Sequence, residues 1–272
     1  MANIEYNSIL QAYKEVVAQY PNIPPMAFWR PWEMAYIGKY AGFNQGLTLD
    51  LACGDGKFAE IVLKPLKLPL IGCDIDPLIL AEAEKKHVYQ ELICADVRDL
   101  PFDSDYFANV FSNCAFEHFD DIDLAIQEVW RILKPGGKLI FTAVTDNFMK
   151  WQPLTHIGKI FGFSKQLVRF RDDWIRIQHL KNPLSAASWS QLLREKHFVL
   201  DYLAEYIPWL PTYVFLILDQ HWHLNYGKRY LNKHKNDKKL PFGFDWLFKL
   251  LAITSLNPKR GSGILIIARK GE

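Results

Sequence analysis

Between residues 47 and 144 five short apolar runs recur, separated by helical patterns. The runs are LTLDLAC (47–53), LPLIGCD (68–74), YQELICAD (89–96), YFANVFSN (106–113) and KLIFTAV (138–144). The last is entered through Lys134-Pro135-Gly136-Gly137. PLILAEAEKKH (77–87) and DIDLAIQEVWRIL (121–133) read as helices between them. A chain that alternates in this way is constrained to a parallel, doubly wound sheet, with right-handed crossovers placing helices on both faces. After residue 145 the pattern changes. SWSQLLREKHF (188–198) reads as a helix capped by Ser188, VLDYLAEY (199–206) as a sixth strand and SGILIIARK (262–270) as a terminal strand. The expected organisation is a helical N-terminal cap (1–46), a core (47–144), a lid or substrate segment (145–187), and a completion of the core (188–272) interrupted by an insertion at 207–260.

The first run ends in Leu49-Asp50-Leu51-Ala52-Cys53-Gly54-Asp55-Gly56-Lys57 and opens a helix. Gly54 and Gly56 permit a sharp turn and a close approach of backbone to a ligand. The helix N-terminus presents unpaired N–H groups. Asp74 ends the second run, where an acid can accept from both hydroxyls of a ribose. Gly54 to Ala59 also fits G-x-G-x-x-A, so a nicotinamide or flavin oxidoreductase is an open alternative at this point, as is a tight βα turn without a ligand.

Charge narrows the partners. The formal net charge is +2, from 32 basic and 30 acidic residues, which gives no general field for nucleic acid. The N-terminal MANIEYNSILQAYKE lacks the apolar core of a signal peptide. The most apolar stretch, Tyr206 to Leu218, is short and holds Pro208 and Pro211, so no membrane span is expected. Cysteines 53, 73, 94 and 114 form no C-x-x-C pair. They read as small buried residues near matching strand ends, in a reduced, cytoplasmic setting with no metal.

Four stretches together resemble class I S-adenosylmethionine-dependent methyltransferases, in particular the small-molecule and ubiquinone-biosynthesis group. They are LDLACGDG (49–56), IGCDIDPLIL (71–80), CADVRDLPF (94–102) and FEHFDDIDLAIQEVWRILKPGGKLIFT (116–142). The resemblance implies a Rossmann-like seven-stranded sheet with an antiparallel last strand, S-adenosyl-L-methionine as cofactor and a small-molecule acceptor. It places Asp50 near the methionine part and Ala52, Cys53, Gly54 and Gly56 along the cofactor. Asp74, followed by Ile75, would hold the ribose hydroxyls. Asp96 and the Val97 backbone N–H would take the adenine, and Asn113 and Cys114 would shape the methionine end. Ala52 stands where many members have the first glycine. Asp76 before Pro77 reads instead as a helix cap.

Methyl transfer from a sulfonium is an in-line displacement, so alignment carries much of the rate, and a base helps when the acceptor is a hydroxyl. His118, Glu117 and His156 are the candidate catalytic residues, His118 foremost; a histidine that merely fixes its loop is the competing reading. A methyltransferase-like binding protein without catalysis is a further alternative. The His221/His223 pair is read as solvated or stacking, and Arg169 to Asp173 as a self-compensating ion-pair patch. Eight of the nine tryptophans lie outside 47–144, which suits an apolar or aromatic acceptor or plain packing. Within 207–256, two apolar stretches flank a basic one (228–239), so a weak membrane-surface contact is possible there beside a dimer contact or a solvated loop.

Overall fold

The apolar runs fold as strands of one sheet. The computed structural model describes residues 4–21, 23–153, 156, 160, 162, 164–223, 243–254, 256 and 258–271. In chain order the strands are β1 (Thr48–Leu51), β2 (Leu70–Asp74), β3 (Glu91–Cys94), β4 (Phe107–Asn113), β5 (Leu133–Val144), β6 (Phe198–Tyr206) and β7 (Gly263–Lys270). The helices are α1 (Tyr6–Gln19), α2 (Arg30–Tyr40), α3 (Lys57–Val62), α4 (Pro77–Glu84), α5 (Ile122–Ile132), α6 (Asp146–Lys150), α7 (Ser164–Ile177), α8 (Ala186–Glu195), α9 (Trp209–His223) and α10 (Phe244–Ile253). The sheet runs β3-β2-β1-β4-β5-β7-β6. β1 pairs in parallel with both β2 and β4, β2 with β3, and β4 with β5, while the last strand is antiparallel.

The chain divides into two compact units. One comprises residues 37–144, 184–204 and 264–272, the other 1–36, 145–183 and 205–263. In the first unit every residue of β1 and nearly every residue of β4 is buried, as a parallel sheet covered on both faces requires. Its core joins Leu49, Val110, Leu139, Phe141 and Ile266 of the sheet to Ile126 and Val129 of α5 and Trp189 of α8. Asp76 caps α4 as the sequence indicates, accepting from the Leu78 N–H at 2.8 Å with Pro77 at the first helical position. β5 begins earlier than the run at 138. Phe107 pairs with Leu133 and Asn109 with Lys138, so the Lys-Pro-Gly-Gly turn is a bulge within the strand.

The cap of α8 corrects the sequence reading. Ser188 lies inside the helix, and Ser185 is its N-cap, its hydroxyl accepting from the Ser188 N–H at 3.1 Å. The repeat Ser-Ala-Ala-Ser offers two caps three residues apart, and the earlier one satisfies an additional turn of N–H groups. Ser185→Ala is therefore expected to cost about 1 kcal/mol in thermal denaturation, and Ser188→Ala only a few tenths.

The second unit is aromatic. Trp29 packs edge-on to Phe148 at 5.5 Å and tilts against Phe215 at 4.9 Å. Tyr13 stacks on Phe248 at 3.9 Å. Buried polar groups in it are tied by hydrogen bonds: Trp29 Nε1 and Arg30 donate to Glu33, and Trp174 Nε1 and Gln178 donate to Asp219. Arg171 pairs with Asp172 and Arg176 with Asp173, as a surface ion-pair patch would. The basic stretch 228–239 lies outside the described residues, as does the side chain of His223. Among the described residues no helix is long and apolar enough to cross a membrane.

Candidate functional site

β2 and β4 flank β1, so the order of strands reverses there and the loops at the carboxyl ends splay apart. The loop after β1 fills this position. Ala52, Gly54 and Gly56 all have positive φ, at 56°, 57° and 72°. Gly56 also sits close to its neighbours: a Cβ there would meet Tyr89 Cε2 at 3.3 Å. The loop is held from β2. The Gly54 N–H donates to Asp74 Oδ2 at 2.9 Å, and the Asp76 N–H donates to Asp74 Oδ1 at 3.1 Å. Ala52 adopts a left-handed conformation that glycine takes without a Cβ penalty. Ala52→Gly is expected to stabilise the chain by about 1 kcal/mol, read as a raised Tm.

A cavity of about 400 Å³ opens beside this loop. Ala52, Asp74, Ile75, Asp96, Val97, Asn113, Cys114 and His118 all line it, drawn from the ends of four successive strands. Ile75 is 65% exposed and gives the cavity an apolar wall. Asp96 is gripped by Arg98, whose Nε donates to Oδ1 at 2.9 Å and whose Nη2 donates to Oδ2 at 2.5 Å. The hydrogen bonds from Arg98 hold the Asp96 carboxyl below the usual carboxylate range, so it stays an acceptor. Asn113 ends β4 and donates from Nδ2 to Thr142 Oγ1 at 2.5 Å. Cys114 follows with a φ of 49° and donates its N–H to the Thr142 carbonyl at 3.0 Å. His118 closes a short turn, its N–H donating to the Ala115 carbonyl at 2.9 Å.

Asp50 lies behind the loop rather than among the cavity-lining residues. It is 4% exposed and accepts from the Tyr89 hydroxyl at 2.6 Å. Burial pushes its pKa up to about 7, against the opposing hydrogen bond from Tyr89, and the nearby Asp74 charge adds to the rise. Burial likewise raises the Cys53 thiol, and the Cys73 thiol to about 12, so neither is a nucleophilic thiolate near neutrality. The four cysteines do stand at the carboxyl ends of β1 to β4, but the expectation that all are buried fails. Only Cys73 is buried; Cys53 and Cys114 are half-buried and Cys94 is exposed. Strand-end positions open onto the loop side of the sheet, and β3 is an edge strand.

Residues 49–141 match the family model described as "Methyltransferase domain". Over these residues the chain is similar to that family. It is 27% identical over 143 residues to a malonyl-[acyl-carrier protein] O-methyltransferase of Legionella pneumophila, an alignment covering 50% of each chain. It is 30% identical over 113 residues to a ubiquinone/menaquinone biosynthesis C-methyltransferase of Desulfotalea psychrophila, covering 40% of this chain and 46% of that one. The chain thus spans about half the length of these curated relatives. Among solved structures, it resembles a phosphoethanolamine N-methyltransferase of Haemonchus contortus in complex with phosphomonomethylethanolamine and S-adenosylhomocysteine. There the TM-score is 0.55 and the identity 17%, covering 88% of this chain and 52% of that one, a likeness of fold.

The cavity does not gather every candidate. Cys53, Gly54 and Gly56 shape the loop but are not among the residues lining the cavity. Glu117 is 1% exposed and lines the cavity no more than they do. His156 belongs to the other unit, where its ring stacks on Tyr213 and its Nδ1 bonds the Tyr213 hydroxyl. Sequence reasoning passed over Arg98, which grips Asp96, and Phe119, both in the cavity wall, and Tyr89, which bonds Asp50 behind the loop. Arg98 was legible as a cation two residues after the acid. Tyr89 had no local signal.

Proposed function

We propose that the domain binds S-adenosyl-L-methionine in this cavity and transfers its methyl group to a small acceptor, at oxygen, by in-line displacement. The observation that carries the reading is the pairing of two fixed carboxylates, Asp74 and Asp96, with the apolar walls of Ile75, Val97 and Phe119 in one cavity. A nucleoside needs this combination: acceptors for ribose hydroxyls and an exocyclic amine, and apolar surface for a flat ring. Asp74 would accept from the ribose hydroxyls, and Asp96, with Arg98 keeping it ionised, from the adenine amino group. Val97 would offer its backbone N–H to the ring. Ala52 would line the methionine part, on the loop that Cys53, Gly54 and Gly56 shape, with Asn113 and Cys114 at its far end. Asp50 beneath the loop would ionise toward the ammonium.

The cofactor supplies an electrophilic methyl on a sulfonium whose leaving group is neutral. The chain therefore has mainly to orient the acceptor and exclude water. His118, at the cavity wall, would take the proton of a hydroxyl acceptor. Glu117, 1% exposed, is not among the residues lining the cavity. The aromatic residues outside 47–144 support an apolar or aromatic acceptor.

The oxidoreductase alternative is disfavoured by charge. The Gly54 N–H is occupied by Asp74 and the Lys57 N–H by Asp55 at 3.1 Å, so a pyrophosphate would face carboxylates where it needs donors. The test is incubation with methyl-labelled cofactor and panels of carboxylic acids, phenols and quinols. Label in a base-labile ester or an aryl ether is expected. Label on carbon, or none, would overturn oxygen transfer. His118→Asn is expected to lower kcat about 100-fold with cofactor affinity unchanged; unchanged kcat would remove it from proton transfer.

A further inference from the structure

Helix α10 is apolar on two faces. Phe248, Leu251 and Ala252 are buried, with Tyr13 stacked on Phe248. The opposite side carries Trp246, Leu250 and Ile253, which are 69%, 45% and 59% exposed. Their spacing of four and then three residues sets them on one stripe of the helix. Exposed aromatic and aliphatic side chains ordered in a stripe mark a surface that meets something apolar.

Charge says what that is. Residues 228–260 hold nine lysines and arginines against two aspartates, while the rest of the chain holds 23 basic against 28 acidic residues. Of the two aspartates, Asp245 already accepts from the Tyr13 hydroxyl at 2.5 Å. Lys249 follows within the helix, and Lys259 and Arg260 lie exposed just beyond it. The apolar stripe is therefore set in the single strongly basic segment of an otherwise slightly acidic chain. A second copy docking here by two-fold symmetry would bring like charges together, Lys249, Lys259 and Arg260 on each copy. An anionic lipid surface complements both features, the stripe entering the acyl boundary and the cations meeting the headgroups.

We propose that α10 seats the chain on an anionic phospholipid surface through Trp246, Leu250 and Ile253. A ten-residue helix rises only about 15 Å, so it lies in the interface and does not cross it. This inference rests on observations separate from the cavity and stands or falls apart from the cofactor reading.

The test is co-sedimentation of the full chain with vesicles of phosphatidylcholine alone and of equal parts phosphatidylcholine and phosphatidylglycerol. Binding to the anionic vesicles only, weakened by added salt, is expected. Trp246→Ser/Ile253→Ser should reduce partitioning at least about tenfold, by loss of buried apolar surface. Lys259→Glu/Arg260→Glu should reduce it roughly tenfold while leaving the apolar stripe intact. A thermal melt matching the wild type checks folding of each variant, and if the serine pair melts early the charge pair decides. No sedimentation, equal sedimentation with neutral vesicles, or folded variants that partition like wild type would overturn the proposal. Self-association in sedimentation velocity that the serine pair abolishes would assign the stripe to a second copy and overturn it as well.

Discussion

Asp74→Ala is expected to weaken S-adenosylhomocysteine binding about 1000-fold in titration calorimetry. The carboxylate would accept two charge-assisted hydrogen bonds from the ribose, each worth roughly 1.5–3 kcal/mol. It also holds the Gly54 and Asp76 N–H groups, so its removal frees the loop that shapes the cavity. Asp74→Asn separates these contributions. The amide keeps one oxygen as acceptor and loses the charge, so it should fall between wild type and alanine. Equal affinity across wild type, asparagine and alanine would remove Asp74 from the site.

The second large effect is on stability against pH. Asp50 has a pKa of about 7 in the fold against an ordinary 3.8. Between these values the folded chain holds a proton at Asp50 that the unfolded chain has released. The contribution is thus fully present below pH 3.8, declines as the pH rises through 7 and is lost above it. The full change is about 4 kcal/mol. Asp50→Asn should remove this slope from denaturation midpoints measured across the window. Tyr89→Phe should move the upper limit of the slope higher, because the tyrosine hydroxyl favours the ionised carboxyl. A wild-type profile flat from pH 4 to 8, or a slope that Asp50→Asn leaves in place, would show that Asp50 is ionised throughout.

How much of this was legible in the sequence depended on how local the cause was. The strands were legible because a parallel sheet covered on both faces demands continuous apolar runs, and the runs around Leu49, Ile71, Val110 and Leu139 supply them. The Asp76-Pro77 cap was legible because its partner, Leu78, is two residues away. Ser188 was misjudged because Ser185 offers the same chemistry one turn earlier, and only the course of the chain before the helix decides between them. Asp74 was singled out from its place at a strand end and Asp96 from the resemblance carried by CADVRDLPF, and both line the cavity. The Tyr89–Asp50 hydrogen bond was not, since it joins residues 39 apart whose meeting depends on the pairing of β1, β2 and β3. That the three outer stretches of chain gather into one compact unit was equally hidden.

The central claim is that the cavity beside Ala52, Asp74 and Asp96 takes an adenosyl sulfonium and not a dinucleotide. Calorimetric titration of the wild-type chain with S-adenosylhomocysteine, run in parallel with NADH and FAD, tests it most directly. Saturable micromolar binding of S-adenosylhomocysteine alone is the expected result; heat from NADH or FAD with none from S-adenosylhomocysteine would contradict it.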